Sequence, residues 1–374
     1  MKIGMMRKRV LLIATLQSHI GQFHKPLMRL LKQNGWEIHV AARNNLDEKD
    51  GLQLEYPDQV FDVPFQRSPL DRRNIGAFRV LKQILRDNHY DVIHCNTPVG
   101  GILGRIAAQE YRRKGTRVYY TVHGFHFYKG APSRNWIIYY PIEKWMSRLT
   151  DKLITISEED YKMAKENFHC PVYHIHGAGV NSTRYYPLSM EEQERKKKDL
   201  CMEGHVLVNA GELRPNKNQK TAIYALKHIL VRFPDTHLYI AGNGQEREKL
   251  EKIAKDQGLQ NYITFLGYTL KLSDYLQVCD AEVACSYREG LPFNVVEAML
   301  CGKPVVASHN RGHDELVEEG KTGYLVAPND IEGYAEAVCR VFENPVSFRE
   351  ESIHKAIVYK DVAVQKELAE VYEL

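Results

Sequence analysis

Short apolar runs alternate from one end of this chain to the other with longer stretches whose apolar residues recur at helical spacing. Such alternation marks strands joined by crossover helices, and therefore parallel α/β sheets. In the first half the pattern predicts strands at Val10–Ala14, Glu37–Ala42, Gln59–Val63, Val92–Cys95, Val118–Thr121, Leu153–Ile156 and Val172–His174. Between the first two, Phe23, Leu27, Leu30 and Leu31 share a helical face, and Gly35 sits where that helix stops. Asn74–Asn88 and Pro98–Tyr111 read as further helices. The second half repeats the scheme, with strands at Val206–Ala210, His237–Ala241, Ile263–Leu266, Ala281–Cys285 and Val305–Ser308.

At 374 residues the chain can bury two separate cores. The charged run Glu191–Asp199 precedes the second series of strands and reads as a solvated linker helix, which places the boundary within residues 178–200. The expected division is an N-terminal domain over residues 1–185, joined by a last helix at 362–374, and a second domain over residues 186–361. No apolar run approaches the ~20 residues that span a bilayer. The start is basic, but its apolar run covers only Val10–Ala14 before a polar Gln17-Ser18-His19, so it reads as a buried strand and not a secretory signal. Seven scattered cysteines without a Cys-x-x-Cys fit reduced cytoplasmic thiols.

Net charge is +4 and unevenly placed. Residues 1–180 hold 27 Lys and Arg against 17 Asp and Glu, giving +10, while residues 181–374 hold 24 against 30, giving −6. A basic first half suits an anionic partner such as a membrane surface or a lipid pyrophosphate. Its cations are dispersed and form no nucleic-acid-binding motif, which argues against nucleic acid.

The most informative stretch runs from Arg288 to Pro304. Pro292 suits the first position of a helix, Gly302 the residue just past it, and Pro304 blocks continuation. A strand, a tight turn and a helix start make a site for a phosphate or pyrophosphate. Glu289 stands in the turn, and Glu297 lies roughly 7–8 Å further along the helix axis. One ligand could set pyrophosphate at the turn over Gly290, Leu291 and Pro292, a sugar at Glu289 and a ribose at Glu297. An amphipathic helix that happens to carry two Glu is the plainer explanation of the spacing alone.

Glu289-Gly-Leu-Pro, then Glu297-Ala-Met and Gly302-Lys-Pro-Val-Val-Ala, resemble the signature of the family-4 retaining glycosyltransferases. The resemblance implies the GT-B fold, with two facing Rossmann-like domains, a cleft between them, and C-terminal helices crossing back to the first. The family has Gly-Arg-Leu and then a Lys four residues beyond the Leu, both cations holding the donor diphosphate. Lys217 matches that Lys, whereas Glu212 stands at the Arg position and Arg214 is the nearest replacement. Gly242-Asn-Gly244 is a weak turn motif. Tyr268 falls where the family's nucleotide base rests, and Gly21 on the loop that approaches the donor phosphate, without the usual paired glycines.

In the first domain, His123 matches a family histidine that approaches the transferred sugar, so Glu289, His123 and Lys217 form the implied catalytic set. Asn96 and Thr97 fall on the acceptor side. The stretch Gly124-Phe-His-Phe-Tyr-Lys-Gly-Ala-Pro132 resembles a bacterial exopolysaccharide and capsule, EpsD-like branch. Trp136, Tyr139, Tyr140 and Trp145, interleaved with Arg134, Lys144 and Arg148, suit either an interfacial segment or a helix packed on the sheet. Asn310-Arg-Gly-His-Asp-Glu315 reads as a helix N-cap region.

The resemblance implies transfer of a hexose or N-acetylhexosamine from a UDP-sugar, with retention, to a lipid-linked saccharide. It implies a cytoplasmic enzyme lying peripherally on the inner membrane face. There is no Asp-x-Asp, so no metal site and no cofactor are expected. A UDP-N-acetylglucosamine 2-epimerase-like enzyme and a non-catalytic nucleotide-sugar-binding subunit are the alternatives.

Overall fold

A computed structural model describes residues 7–49, 52–344 and 348–374, so residues 1–6 of the basic start lie outside it. The chain divides into two compact units, Met1–Gly179 with Asp361–Leu374, and Val180–Lys360. The first contains β1 (Arg9–Leu16), β2 (Glu37–Arg43), β3 (Gln59–Asp62), β4 (Val92–Asn96), β5 (Arg117–Val122), β6 (Lys152–Thr155) and β7 (Val172–His174). The second contains β8 (Val206–Ala210), β9 (His237–Ala241), β10 (Ile263–Gly267), β11 (Ala281–Ala284), β12 (Val305–Ser308) and β13 (Gly323–Val326). Their orders are β3-β2-β1-β4-β5-β6-β7 and β10-β9-β8-β11-β12-β13. Neighbouring strands pair in parallel in both sheets.

Helices cover both faces of a parallel sheet, so its central strands must be apolar on both sides. Val10 to Ala14 of β1 and Val305 to Ala307 of β12 are accordingly 0% exposed. Chain direction across the sheet reverses between β1 and β4, and again between β8 and β11. Loops leaving such neighbours diverge and open a crevice at their carboxyl ends. This topology decides which residues of each unit can meet a ligand.

Four local differences from the expected elements have physical causes. The helix after β1 breaks at His24 into Gln17–Phe23 and Lys25–Gln33, with Pro26 in the first turn of the second piece. The expected Pro98–Tyr111 helix also ends early, at Ala107, before a short Gln109–Arg112 turn. β13 lay outside the predicted strands because it is short and begins with glycine. Gly323 lets it approach β12, since a Cβ there would lie 1.9 Å from Val305 O. The charged run is a helix, Met190–Asp199, opened by a Ser189/Glu192 capping box. It is no free linker, because Lys196 reaches Asp274 and Gln277, both at 2.6 Å.

The helix Asp361–Tyr372 completes the first unit. Tyr372 Oη lies 2.6 Å from His94 Nδ1, Lys152 Nζ donates to Val371 O at 2.6 Å, and Gln365 donates to Pro26 O.

The helix Phe293–Leu300 ends in a Schellman motif. Gly302 N–H donates to Met299 O at 2.9 Å and Lys303 N–H to Ala298 O at 3.0 Å, with Gly302 at φ 73°. A Cβ at that glycine would also meet Arg349 Cγ at 3.0 Å. Gly302→Ala is expected to destabilise the second unit by about 1–2 kcal/mol, seen as a lower midpoint in urea unfolding; an unchanged midpoint would remove the strain argument.

Candidate functional site

In the second unit the loops after β8 and β11, the two strands flanking the reversal, are tied together. Gly211 (φ +154°) passes so close to Lys217 that a Cβ there would lie 3.3 Å from its Cε. The loop after β9 presses from the other side. Leu213 N–H donates to Asn243 O at 2.9 Å, and a Cβ on Gly242 would sit 2.0 Å from Gly211 O. Gly242 and Gly244 therefore serve backbone approach. Tyr287 N–H donates to Asn216 O at 2.8 Å, and Asn216 Nδ2 donates to Arg288 O at 2.9 Å. This lacing sets Lys217 Nζ 2.7 Å from Glu289 Oε1.

Gly290 and the buried Leu291 follow, held down by the helix Arg311–Leu316. A Cβ on Gly312 would lie 2.7 Å from Gly290 O, so glycine is needed there. Asn310 caps that helix by accepting from the Gly312 and His313 N–H groups. Pro292 stands one residue earlier than expected, just outside the helix Phe293–Leu300 and not in its first turn. That helix start receives no side-chain cap. The first-turn N–H groups of a helix lie at its amino end, which here follows the turn that carries Glu289.

Three carboxyl groups surround this place, and their environments separate them. Burial works to raise the Glu289 carboxyl, but the Lys217 ammonium and a Ser286 hydrogen bond win, so it lies below its ordinary range. Glu297 is half-buried in the helix; burial pushes it up to about 7 against a Tyr185 hydrogen bond and the charge of Arg184. Glu282, in the middle of β11, is 0% exposed and is pushed up to about 8 by burial. Its Oε1 accepts from Asn294 Nδ2 at 2.8 Å and from Ala210 N–H at 3.3 Å, while Oε2 has no hydrogen-bond partner. Sequence reasoning passed over Glu282 by reading its run as simply apolar. The available signal was the acid itself, set inside Ala-Glu-Val-Ala-Cys.

Arg214 does not stand free to replace the missing cation, because its Nε pairs with Glu212 Oε1 at 2.8 Å on the same loop. Tyr268 follows β10 and is half-buried. Its loop leans on the one after β9, where Gly242 N–H donates to Gly267 O at 2.8 Å.

In the first unit, Gly21 corrects an expectation. β1 runs directly into the helix Gln17–Phe23, so Gly21 lies inside that helix and not on a phosphate loop. It is buried, and a Cβ would touch Leu54 and Leu52 at 3.3 and 3.4 Å. Asn96 is 0% exposed, with Nδ2 on Ile13 O and His94 O, so it shapes the strand end and presents nothing to solvent. Thr97 is partly open and strained at φ 63°, ψ 157°. Thr15 fixes it, its N–H donating to Thr97 Oγ1 at 3.0 Å and its hydroxyl lying 2.8 Å from the same atom.

His123 directly follows β5, with Nε2 3.2 Å from His19 Nε2, and burial pushes it down to about 4. One ring nitrogen from each of His19, His24 and His123 lies within 4.8 Å of the others. Residues 104 positions apart in sequence carry no ligand spacing that reading along the chain could detect. All seven cysteines are free, five of them buried.

Two doubly wound parallel sheets, the second with a cation, a carboxylate and a helix start at its reversal, are the parts of a GT-B glycosyltransferase. The Glycosyltransferase Family 4 profile matches residues 25–184, and the Glycosyl transferases group 1 profile matches residues 190–358. EpsD of Bacillus subtilis, provisionally named a glycosyltransferase, is 39% identical over 98% of this chain and 97% of its own length. The chain belongs to the group 1/family 4 glycosyltransferases. An Escherichia coli relative, named UDP-Gal:alpha-D-GlcNAc-diphosphoundecaprenol alpha-1,3-galactosyltransferase, is 29% identical over 73% of each chain. Among solved structures, Anabaena HepE in complex with UDP and glucose superposes with a TM-score of 0.76 at 20% identity, covering 98% of this chain and 100% of that one. Sucrose-phosphate synthase from Thermosynechococcus elongatus gives 0.77 at 19%, covering 98% of both chains.

The high pKa of Glu282 has a pH signature. Below the unfolded value near 4.5 the acid is protonated in both states and its stabilisation is complete. Between there and about 8 only the unfolded chain releases its proton, so stability falls as pH rises. Glu282→Gln mimics the protonated acid. It is expected to be more stable than the parent at pH 8.5 by on the order of a few kcal/mol, seen as a higher melting temperature, and to match it at pH 4.5. Parallel melting curves at both pH values would rule out a buried, protonated Glu282.

Proposed function

We propose that this glycosyltransferase moves a hexose or N-acetylhexosamine from a UDP-sugar, with retention at the anomeric carbon, to a lipid-linked saccharide in exopolysaccharide or capsule synthesis. The observation that carries this reading is the Lys217–Glu289 pair at 2.7 Å beside an uncapped helix start. An incoming diphosphate takes the helix N–H groups and replaces Glu289 as the partner of Lys217. The released carboxylate then accepts from the sugar hydroxyls, and Glu297 accepts from the ribose. As the sugar–phosphate bond breaks, negative charge grows on the departing oxygen, where the ammonium and the amides stabilise it. Attack comes from the same face, and the leaving phosphate takes the acceptor's proton. Glu289 is thus a sugar-positioning group and not a nucleophile, and neutral His123 hydrogen-bonds the transferred sugar. The chemistry needs no divalent metal.

The relatives support the donor and acceptor. The E. coli protein's name joins UDP-Gal to a diphosphoundecaprenol acceptor, and HepE was solved with UDP and glucose. An anionic membrane surface is supported by the helix Ser133–Met146, which turns Asn135 and Glu143 inward. Glu143 pairs with the fully buried Arg105 at 2.8 Å, and Asn135 is buried. Ile137 (74% exposed), Ile138, Ile142 and Trp145 face solvent instead. Lys144 and Arg148 lie alongside. Such a face suits the inner leaflet's headgroup boundary. Among the described residues no helix is long and apolar enough to cross a membrane.

Glu289→Ala is expected to abolish transfer of labelled sugar while leaving circular dichroism unchanged, and Lys217→Ala to weaken UDP binding about 10–100-fold by calorimetry. Undiminished turnover in the first variant would remove Glu289 from the site, and EDTA should not reduce turnover. Release of a free epimer would identify the epimerase alternative. Nucleotide-sugar binding without turnover would identify the non-catalytic one, which the Glu212–Arg214 pair favours. Ile137→Ser with Trp145→Ser is expected to reduce sedimentation with anionic phosphatidylglycerol vesicles; equal sedimentation would exclude this helix as the membrane contact.

A further inference from the structure

Three histidines converge where the first sheet reverses. His19 and His24 lie on the segment after β1, and His123 directly follows β5. His19 Nε2 and His123 Nε2 are 3.2 Å apart, and one nitrogen of each of the three rings falls within 4.8 Å of the others. Around a tetrahedral ion with metal–nitrogen bonds of about 2.0–2.1 Å, ligand nitrogens sit roughly 3.3 Å from one another. The observed pair therefore already has the separation of two ligands on one ion.

A simple N–H···N hydrogen bond between His19 and His123 accounts for those two atoms and leaves a third unexplained. His24 is only 5% exposed, and its Nε2 has no hydrogen-bond partner. Leaving a buried imidazole nitrogen unmatched is costly. The neighbouring His94 is different, because both of its nitrogens are occupied, by the Tyr372 hydroxyl at 2.6 Å and the Thr121 hydroxyl at 2.7 Å. It forms a wall of the cavity that His24, His123, Phe23 and Leu27 also line.

We propose that His19, His24 and His123 form a site for a divalent transition-metal ion of the zinc type, with a fourth position open to water or an anionic oxygen. Three imidazoles without a carboxylate favour Zn2+, Co2+ or Ni2+ over Mg2+ and Ca2+. All three ligands belong to the first unit, so the site needs nothing from the second. The ion engages His123 through Nε2, the atom that also faces His19. Metal binding therefore withdraws that imidazole from sugar binding and slows transfer. This last consequence rests on the proposed role of His123, whereas the metal site does not.

The test uses the full chain, stripped with EDTA and titrated with Co2+. One equivalent is expected to bind with the visible ligand-field bands of a tetrahedral centre, without the charge-transfer band of a thiolate ligand. Zn2+ is expected to displace it and to raise the melting temperature. His24→Gln and His19→Gln are each expected to weaken Co2+ binding at least about tenfold. Should either variant fold poorly, His123→Asn supplies the same comparison. Absence of a stoichiometric spectrum, or an unchanged spectrum in the variants, overturns the site. Tight Zn2+ binding with undiminished transfer overturns the braking role. The Co2+ spectrum is read without turnover, so failure of the transferase reading is seen separately.

Discussion

One ammonium group lies among three carboxyl groups in the second unit, and the local structure follows from that imbalance. Lys217 can neutralise only one of them at contact distance, and it takes Glu289. The other two are pushed toward their protonated forms, Glu282 by full enclosure in β11 and Glu297 by burial near Tyr185. Each element that brings the acids together also limits how many can be charged. A ligand that draws Lys217 away redistributes charge through the whole group, since Lys217 and Glu297 both act on Glu282. The site is held in a state that an arriving anion would relieve.

The two units reach comparable geometry by different local means. In the second, glycines let neighbouring segments touch: a Cβ on Gly242 or Gly312 would strike backbone, and Gly211 lies close against Lys217. In the first, the strand ends are fixed by side-chain hydrogen bonds and by the strained Thr97, braced by Thr15. Glycine contacts make a smooth backbone surface suited to phosphate. Packed imidazoles and hydroxyls make a more selective one.

Much of this architecture is legible along the chain, for a physical reason. Strands buried on both faces are largely apolar, so Val206–Ala210 and Val305–Ser308 are bounded the same way by pattern and by structure. The turn chemistry around Gly302 is equally local. What escapes the pattern depends on distant partners. β13 exists because Gly323 can approach Val305, and the break at His24 depends on where β1 delivers the chain. The resemblance names Glu289 and Lys217 singly, but their contact is tertiary. Glu282 is hidden because one acid in an apolar run looks like noise until its surroundings are known. Gly21 misleads in the opposite sense, since a loop expected from family habit is here a helix packed on Leu52 and Leu54.

The helix Asp361–Tyr372 belongs to the unit that the chain begins, not the one it has just finished. Its Tyr372 reaches His94, its Glu367 holds His176, and Val371 O receives Lys152. During synthesis the amino-terminal sheet emerges from the ribosome long before these partners do. Its polar groups at these positions stay unmatched until that helix docks. The first unit is thus closed by residues that come after the whole of the second, so it is completed out of chain order.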